Sequence, residues 1–186
     1  MTTLLSSPLP PCLDLDEWDA LGETDERLEL VDGYVIVVPS EQWRNVEAQA
    51  LFIERVRDAT GRTLRCGSQM SVVLQDVPAT VRQPDIVVLR RDIASGSTRL
   101  RADDVLLAAE IVSPSSVETD WLTKRREYAA AGIPHYVVVD LRDGHRRITL
   151  FRSPGPDGYT DITGGTHITL TLGEHQLTIG LADLTG

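Results

Sequence analysis

The sequence has only two cysteines and no long hydrophobic run. Cys12 and Cys66 are far apart, and their spacing fits neither a zinc site nor a disulfide framework. The first residues, MTTLLSSPLPPC, lack the basic and apolar regions of a signal peptide, and no stretch approaches about 18 consecutive apolar residues. These absences argue against a disulfide-rich secreted protein and a helical membrane protein, so we expect a cytoplasmic protein with no membrane partner.

Basic residues are scarce relative to acidic ones. The chain has 18 lysine and arginine residues against 28 aspartate and glutamate residues, which gives a formal net charge of −10 at pH 7. Nonspecific binding to nucleic acid draws most of its energy from basic side chains that replace phosphate counterions, so this balance argues against it. An acidic enzyme can still bind a phosphodiester through a local basic patch and a divalent cation. The densest basic region, residues 90–101, is interpreted as a solvated loop.

Several catalytic signatures are also missing. The chain has no phosphate-binding P-loop, no dinucleotide-binding glycine motif and no nucleophile elbow around its serines. Its four histidines show no metal-ligand pairing, and only His135, at the start of a predicted strand, remains a candidate for a site. The carboxylates are therefore the main candidates for catalytic or metal-binding groups.

The hydrophobic periodicity predicts an α/β domain with a central mixed β-sheet. Residues 1–12 are interpreted as a flexible arm and residues 13–186 as one domain, because no linker divides the chain. A short capped helix, a tight hairpin at Asp32-Gly33 and a long helix of about five turns come first. Buried strands, a second helix and short terminal strands follow. Five residues at helical spacing predict the long helix: Trp43, Val46, Ala50, Ile53 and Val56.

One carboxylate lies inside an apolar strand. Glu110 is flanked by LLAA and IV in the segment VLLAAEIV, a pattern typical of a strand that is buried on both faces. An unpaired charge at such a position would cost several kcal/mol. Glu110 therefore requires a basic side chain, a bound proton or a metal ion as its partner.

Asp85 and Lys124 complete a candidate constellation. Pro84 marks the entrance of a buried strand and places Asp85 at its mouth, while Lys124 lies in the helix that follows the Glu110 strand. Two carboxylates on neighbouring strands, together with the backbone carbonyl of Ile111, would make an oxygen site suited to Mg²⁺ or Mn²⁺. Lys124 would orient a nucleophile or stabilise the charge of a transition state.

Each of these residues also has a purely structural interpretation. Asp85 could cap a turn, and Lys124, four residues after Asp120, could form an ordinary helical ion pair. Glu110 could be half of a buried ion pair. Three aromatic residues are interpreted as packing residues and not as a base-stacking platform: Trp121, Tyr128 and Tyr136.

Four segments in this order resemble the Uma-type restriction endonuclease family, which is placed within the PD-(D/E)xK nuclease superfamily: LELVDG, QPDIVVL, AAEIVSPSS and DWLTKRREYAAAGIPHYVVVD. The resemblance covers residues 13–183. It implies a restriction-endonuclease-like core, a central mixed sheet flanked by helices, with a divalent-metal nuclease site. It matches Asp85 with the aspartate of the PD element and Glu110 with the acid of the (D/E)xK element.

The sequence departs from the family pattern at two positions. Val112 stands where the superfamily usually has a lysine, and in this family a lysine of the following helix, here Lys124, is taken to replace it. Trp43 stands where the family often has a histidine, near the start of the long first helix. Glu47 on the same helix is a candidate accessory acid, with a solvated helix face as the alternative.

The sequence thus predicts a Mg²⁺- or Mn²⁺-dependent endonuclease that hydrolyses phosphodiester bonds, with DNA as its expected partner. A noncatalytic binding module on the same fold is one alternative, and a phosphodiesterase that acts on RNA or on a small phosphodiester is another. A homodimer would suit a one-site nuclease that cuts both strands, although no residue establishes it.

Overall fold

The computed structural model describes residues 12–22, 24–93 and 99–185. It has a central mixed sheet flanked by helices, as the sequence predicts. The predicted flexible arm lies outside the described residues except for Cys12, and so does part of the predicted solvated loop, at residues 94–98. None of the described helices is both long enough and apolar enough to cross a membrane.

The centre of the fold is a six-stranded sheet in which the two predicted site strands lie side by side. Its strands in spatial order are β11 (Gly158–Gly165), β10 (Arg147–Gly155), β9 (His135–Asp140), β8 (Val105–Ile111), β6 (Ile86–Leu89) and β3 (Arg65–Gly67). Strands β8 and β9 are parallel, and the other neighbouring pairs are antiparallel. A parallel pair requires a crossover connection, and the helical segments Thr119–Thr123 and Lys124–Ala130 supply it between β8 and β9.

A second sheet of five strands contributes the other side of the site. In spatial order it contains β2 (Tyr34–Val37), β1 (Leu28–Val31), β5 (Thr80–Arg82), β4 (Val72–Gln75) and β7 (Leu100–Arg101). A separate hairpin contains β12 (His167–Leu172) and β13 (His175–Gly180). The predicted tight turn between β1 and β2 is confirmed, because Asp32 and Gly33 have φ angles of 50° and 84°.

The described helices are short except for one. They are α1 (Leu15–Ala20), α2 (Trp43–Ala59) and α3 (Lys124–Ala130), with a π-helical segment at Thr119–Thr123 and single 3-10 turns at Ala102–Asp104 and Leu181–Leu184. Asp14 and Glu17 form a reciprocal capping box at the start of α1, as its sequence predicts. Helix α3 ends before Gly132, which has a φ of 81°.

Helices α2 and α3 cover opposite faces of the six-stranded sheet. Phe52 of α2 packs in one core with Ile86 and alternate residues of β8 and β9, and the β12–β13 hairpin closes that core. Tyr128 of α3 packs in the other core with Ala108 and Tyr136. Strands β8 and β9 are thus buried on both sides, which explains their nearly continuous apolar sequences.

The residues that α2 buries are not the same apolar residues whose spacing predicts the helix. Trp43 is 78% exposed, and Val46 and Ala50 are exposed as well. The buried residues are Asn45, Ala48, Gln49, Phe52 and Val56. The first turn of α2 lies over the end of β8, where the buried side-chain amide of Asn45 donates a hydrogen bond to the carbonyl of Ile111.

We predict that Gly33→Ala destabilises the protein, because this turn holds the β1–β2 hairpin beside the site. The φ of 84° is unfavourable for alanine, and an added Cβ would overlap Sγ of Cys12. The free energy of unfolding should fall by about 1–3 kcal/mol in a thermal or urea denaturation. Gly165→Ala is the matched control, because an added Cβ there meets open space. Equal melting temperatures for the two variants would contradict this account.

Candidate active site

Strands β6 and β8 bring Asp85 and Glu110 together. The antiparallel register pairs Ile86 with Ala109, so Asp85, one residue earlier, lies across from Glu110, one residue later. Directly opposed residues project their side chains from the same face of a sheet. The backbone N–H of Ile111 also donates a hydrogen bond of 2.8 Å to Oδ2 of Asp85. The two carboxylates that the sequence singles out therefore share one face of the central sheet.

Glu110 is buried, and its hydrogen-bond partners both come from α3. Nζ of Lys124 and the hydroxyl of Tyr128 each donate a hydrogen bond of 2.8 Å to Oε1. None of the described residues donates to the second oxygen, Oε2, and Glu110 lines a cavity. Burial raises the pKa of Glu110 to about 7, the nearby Lys124 ammonium opposes the rise, and the Asp85 carboxylate adds to it.

Lys124 is surrounded by carboxylates. Its Nζ lies 2.8 Å from Glu110, 3.3 Å from Glu29 and 4.0 Å from Asp120. Burial acts against the charged ammonium, but the three acids outweigh it and raise the pKa of Lys124. The helical pair with Asp120 exists, although it is the longest of the three contacts. Lys124 is thus a charged link between β8, which carries Glu110, and β1, which carries Glu29.

The π-helical segment Thr119–Thr123 places Asp120 at the site just before Lys124. The hydroxyl of Ser116 donates a hydrogen bond of 2.5 Å to Oδ2 of Asp120, and the hydroxyl of Tyr136 donates one of 2.7 Å to its carbonyl. Burial raises the pKa of Asp120 to about 7, and the charge of Glu110 adds to this rise. Wider helical turns of this kind are frequent at functional sites.

Asp85 has a basic partner that the sequence pattern does not reveal. Both terminal nitrogens of Arg27 lie 3.3 Å from Oδ1 of Asp85, and Nη1 also lies 3.2 Å from Glu41. Burial raises the pKa of Asp85 to about 6, and Glu41 adds to the rise, whereas the Ile111 N–H and Arg27 oppose it. The carboxylate is thus held between a guanidinium and a backbone donor.

Glu41, and not Glu47, is the acid near α2 that reaches the site. Glu47 is exposed, and neither it nor Trp43 lines the cavity. Asn45, in the first turn of α2, donates through Nδ2 to Glu41 and to the carbonyl of Ile111, each at 3.2 Å. Since both neighbours are acceptors, the orientation of the amide is fixed, and its Oδ1 is buried without a partner among the described residues.

Arg82 connects the same network to Glu127 of α3. It pairs with Glu29 at 2.7 Å and makes two hydrogen bonds of 2.7 Å to Glu127. Burial alone would raise the pKa of Glu29, but Lys124 and Arg82 outweigh burial, so this pKa is lowered. The ionised form of Glu29 is therefore favoured, and it joins the five-stranded sheet to α3.

These side chains line a cavity of about 490 Å³. Among the residues that the structure describes, five carboxylates and three cations face it: Glu29, Glu41, Asp85, Glu110 and Asp120 against Arg27, Arg82 and Lys124. When all are ionised, this lining has two more negative than positive charges. Within residues 12–22, 24–93 and 99–185, no group of three or more His, Cys, Asp or Glu side chains could hold a metal ion. A cation in this cavity would need carbonyl or water ligands besides carboxylates.

The aromatic rings near the site pack in the core, as the sequence predicts, and the hydroxyls of Tyr128 and Tyr136 also hydrogen-bond to Glu110 and Asp120. Tyr128 and Tyr136 are fully buried, with ring centroids 5.1 Å apart, and Trp121 packs edge-on against Phe151. His135 does not line the cavity, and its Nδ1 lies 2.9 Å from the carbonyl of Leu106. None of these rings offers an open face to a base in the cavity.

Comparison with known proteins agrees with this architecture. A central mixed sheet flanked by helices, with acids at the ends of two paired strands, defines a restriction-endonuclease-like core. The sequence matches the Uma2 family, described as "Putative restriction endonuclease", over residues 14–182, and the chain belongs to this family. The resemblance inferred from the sequence is confirmed.

One solved structure with the same fold is that of a "putative nuclease belonging to DUF820" from Anabaena variabilis ATCC 29413. The TM-score is 0.71 at 17% sequence identity, and the match covers 92% of this chain and 97% of that chain. At this identity the similarity shows the fold alone. No curated protein matches the chain.

The raised carboxyl pKa values predict an unusual pH dependence of stability without metal. Asp85, Glu110 and Asp120 have pKa values of about 6, 7 and 7 in the folded protein and ordinary values near 4 when unfolded. Between about pH 4.5 and 7 the folded state therefore holds more protons, so the free energy of unfolding falls as the pH rises. Below this window the stabilisation by Glu29, whose pKa is lowered, is lost.

In EDTA-containing buffers the melting temperature should thus be highest near pH 4.5–5 and several degrees lower at pH 8. Differential scanning calorimetry from pH 4 to 8.5 measures this directly. Glu110→Gln should flatten the decline above pH 6, whereas the exposed Glu47→Gln should leave it unchanged. A melting temperature that rises steadily from pH 5.5 to 8 would contradict the pKa assignment.

Proposed function

We propose that the protein is an endonuclease that hydrolyses phosphodiester bonds in DNA with the help of Mg²⁺ or Mn²⁺. The observation that carries the proposal is the pairing of Asp85 with Glu110 across β6 and β8, in a cavity with excess negative charge. Membership of a family described as "Putative restriction endonuclease" supports the reaction class and a nucleic-acid substrate.

The donor atoms fit a hard divalent cation. Asp85 and Glu110 offer carboxylate oxygens, and Oε2 of Glu110 has no partner among the described residues. Ile111 also lines the cavity, and its carbonyl, which accepts one hydrogen bond from Nδ2 of Asn45, has a second lone pair that could bind a cation. Mg²⁺ is commonly held by one or two carboxylates with several waters, which suits a site with few protein ligands.

The residues around these donors would orient the reaction. A bound Mg²⁺ or Mn²⁺ would lower the pKa of a water molecule and neutralise charge on the phosphate. Tyr128 and Lys124 hold Oε1 of Glu110 and so direct Oε2 towards the cavity. The Lys124 ammonium, kept charged by its three acids, is available to position the attacking water or stabilise charge on the phosphate.

Arg27 would have a second role when a cation occupies the site. Its guanidinium now balances Asp85 and Glu41. A divalent cation bound to Asp85 would take over this charge balance, and Arg27 would then be free to bind a phosphate oxygen. Guanidinium groups suit this task because they bind phosphate in a bidentate manner.

The close contact between Lys124 and Glu110 also favours a second candidate function. A noncatalytic binding module of the same fold would keep this buried ion pair for stability alone. Such a module would bind nucleic acid or another ligand without cutting it. The two candidates differ in whether any substrate is cleaved and in whether Glu110 affects cleavage.

Cleavage assays with site variants test the proposal. Purified protein with Mn²⁺ should cut plasmid or single-stranded circular DNA, and EDTA should stop the reaction. Asp85→Asn, Glu110→Gln and Lys124→Met should each reduce the rate by at least about 100-fold. Asp85 and Glu110 would hold the metal ion, and Lys124 would position the attacking water or stabilise charge on the phosphate. Gel electrophoresis of the products, with an RNA of the same sequence as a third substrate, measures the rates.

Glu47→Gln is the matched control, because Glu47 is an exposed acid outside the cavity. It should cut like the unmodified protein. Cleavage of RNA but not DNA would correct the substrate, and the absence of any cleavage would favour the binding module. Unchanged cleavage by Glu110→Gln would overturn the assigned site.

Metal binding can be tested without any substrate. Mn²⁺ at about 100 times its dissociation constant should stabilise the folded protein by about 2.7 kcal/mol, or about 5–10 °C in melting temperature at this chain length. The double variant Asp85→Asn/Glu110→Gln should show no shift, whereas Glu47→Gln should shift like the unmodified protein. Equal shifts in all three proteins would place the metal elsewhere.

A further inference from the structure

The five-stranded sheet presents a charged row and an apolar row side by side on its cavity face. The β1–β2 register pairs Glu29 with Ile36, and the N–H of Val38 donates to the carbonyl of Arg27 at 2.8 Å. Opposed residues share a face, so Ile36 and Val38 project on the same side as Glu29 and Arg27. Neighbouring strands lie about 4.8 Å apart, which puts the apolar row immediately next to the site acids.

This apolar row forms one wall of the cavity. The wall contains Val31, Ile36, Val38 and Pro39. Ile36 remains 44% exposed, because β2 is the outermost strand of its sheet among the described residues. Covering apolar surface with an apolar group is favourable, so the wall suits an apolar group on a substrate that is held at the site acids.

The cations of the cavity do not suit the backbone of a double helix. Without a metal ion, Arg27 pairs with Asp85, Arg82 with Glu29 and Lys124 with Glu110. With a metal ion at Asp85, at most two of these described cations, Arg27 and Lys124, would meet a phosphate. Duplex binding depends on several basic side chains that follow the phosphates. A duplex also keeps the flat faces of its bases stacked inside, where the apolar wall has no access to them.

We infer that the substrate is single-stranded or locally unpaired DNA, in which the base next to the scissile phosphate packs against the wall of Val31, Ile36, Val38 and Pro39. An unpaired nucleotide presents two groups that suit the cavity. Its phosphodiester would bind a cation held by Asp85 and Glu110, and its exposed base face would pack against the apolar wall. This inference rests on the proposed nuclease function and specifies its substrate.

The first test uses the unmodified protein and four oligonucleotides of one sequence, with Mn²⁺. These are a single strand, the perfect duplex, a duplex with one bulged nucleotide and a single strand with one abasic position. We expect cleavage of the single strand and cleavage of the bulged duplex at the bulge. The perfect duplex should be cut at least about tenfold more slowly. The bond next to the abasic position should be spared while other bonds in that strand are cut.

The second test changes the wall. Ile36→Ser should raise KM for the single strand roughly tenfold, because apolar contact with the base is lost, and should leave kcat within about twofold. Ile162→Ser is the matched control, since Ile162 is 54% exposed on β11 and does not line the cavity. It should leave both constants unchanged.

The outcomes separate this inference from the proposed function. Equal cleavage of the duplex and the single strand, or full cleavage beside the abasic position, would overturn the inference and leave the nuclease intact. No cleavage of any oligonucleotide would overturn both. If the unmodified protein is a dimer that Ile36→Ser makes monomeric without changing KM, the wall is an interface between two copies and the inference is wrong.

Discussion

The buried contact between Lys124 and Glu110 is the interaction on which the rest of the site depends. An ammonium has three donor hydrogens, and the three nearest carboxylates come from β8, β1 and the π-helical segment. Removal of one partner from a buried ion pair typically costs about 3–5 kcal/mol, because the other charge is left without compensation. Lys124 of α3 therefore links the six-stranded sheet, through Glu110, to the five-stranded sheet, through Glu29. It also supplies positive charge at the site.

The acids of the cavity fall into two groups according to their partners. Glu29 has both Lys124 and Arg82 close by, and these cations lower its pKa, so its ionised form is favoured as a structural link. Asp85 and Glu110 are more weakly compensated, and burial raises their pKa values towards neutrality. The second group gains most from an external cation. One connected network thus contains both firmly compensated acids and acids that the proposed metal ion would compensate.

The centre of the site is predictable from the sequence because its signals are local. An acid within an apolar strand, an acid after a proline and a lysine in the next helix identify Glu110, Asp85 and Lys124 from the amino-acid order alone. The mixed sheet, the tight hairpin and the long helix are confirmed by the structure. Their common property is that a few neighbouring residues determine them.

The surrounding residues cannot be predicted in the same way, because they reach the site through long-range pairing of strands. Arg27 and Glu41 lie in polar stretches that look solvated in the sequence, and Asn45 is a polar residue on the buried side of α2. Glu29 is the exception. It stands between Leu28 and Leu30 in a strand, which is the same signal that identifies Glu110.

Lys124 is the only lysine in the chain, and the other residues in the count of 18 lysines and arginines are all arginines. The protein thus has a single side-chain primary amine, and that amine lies inside the cavity with 6% of the residue exposed. Its raised pKa keeps it protonated and therefore unreactive towards acylating reagents while the network is closed. Any event that opens the network would expose the amine, so its chemical reactivity would report on the state of the site without interference from surface lysines.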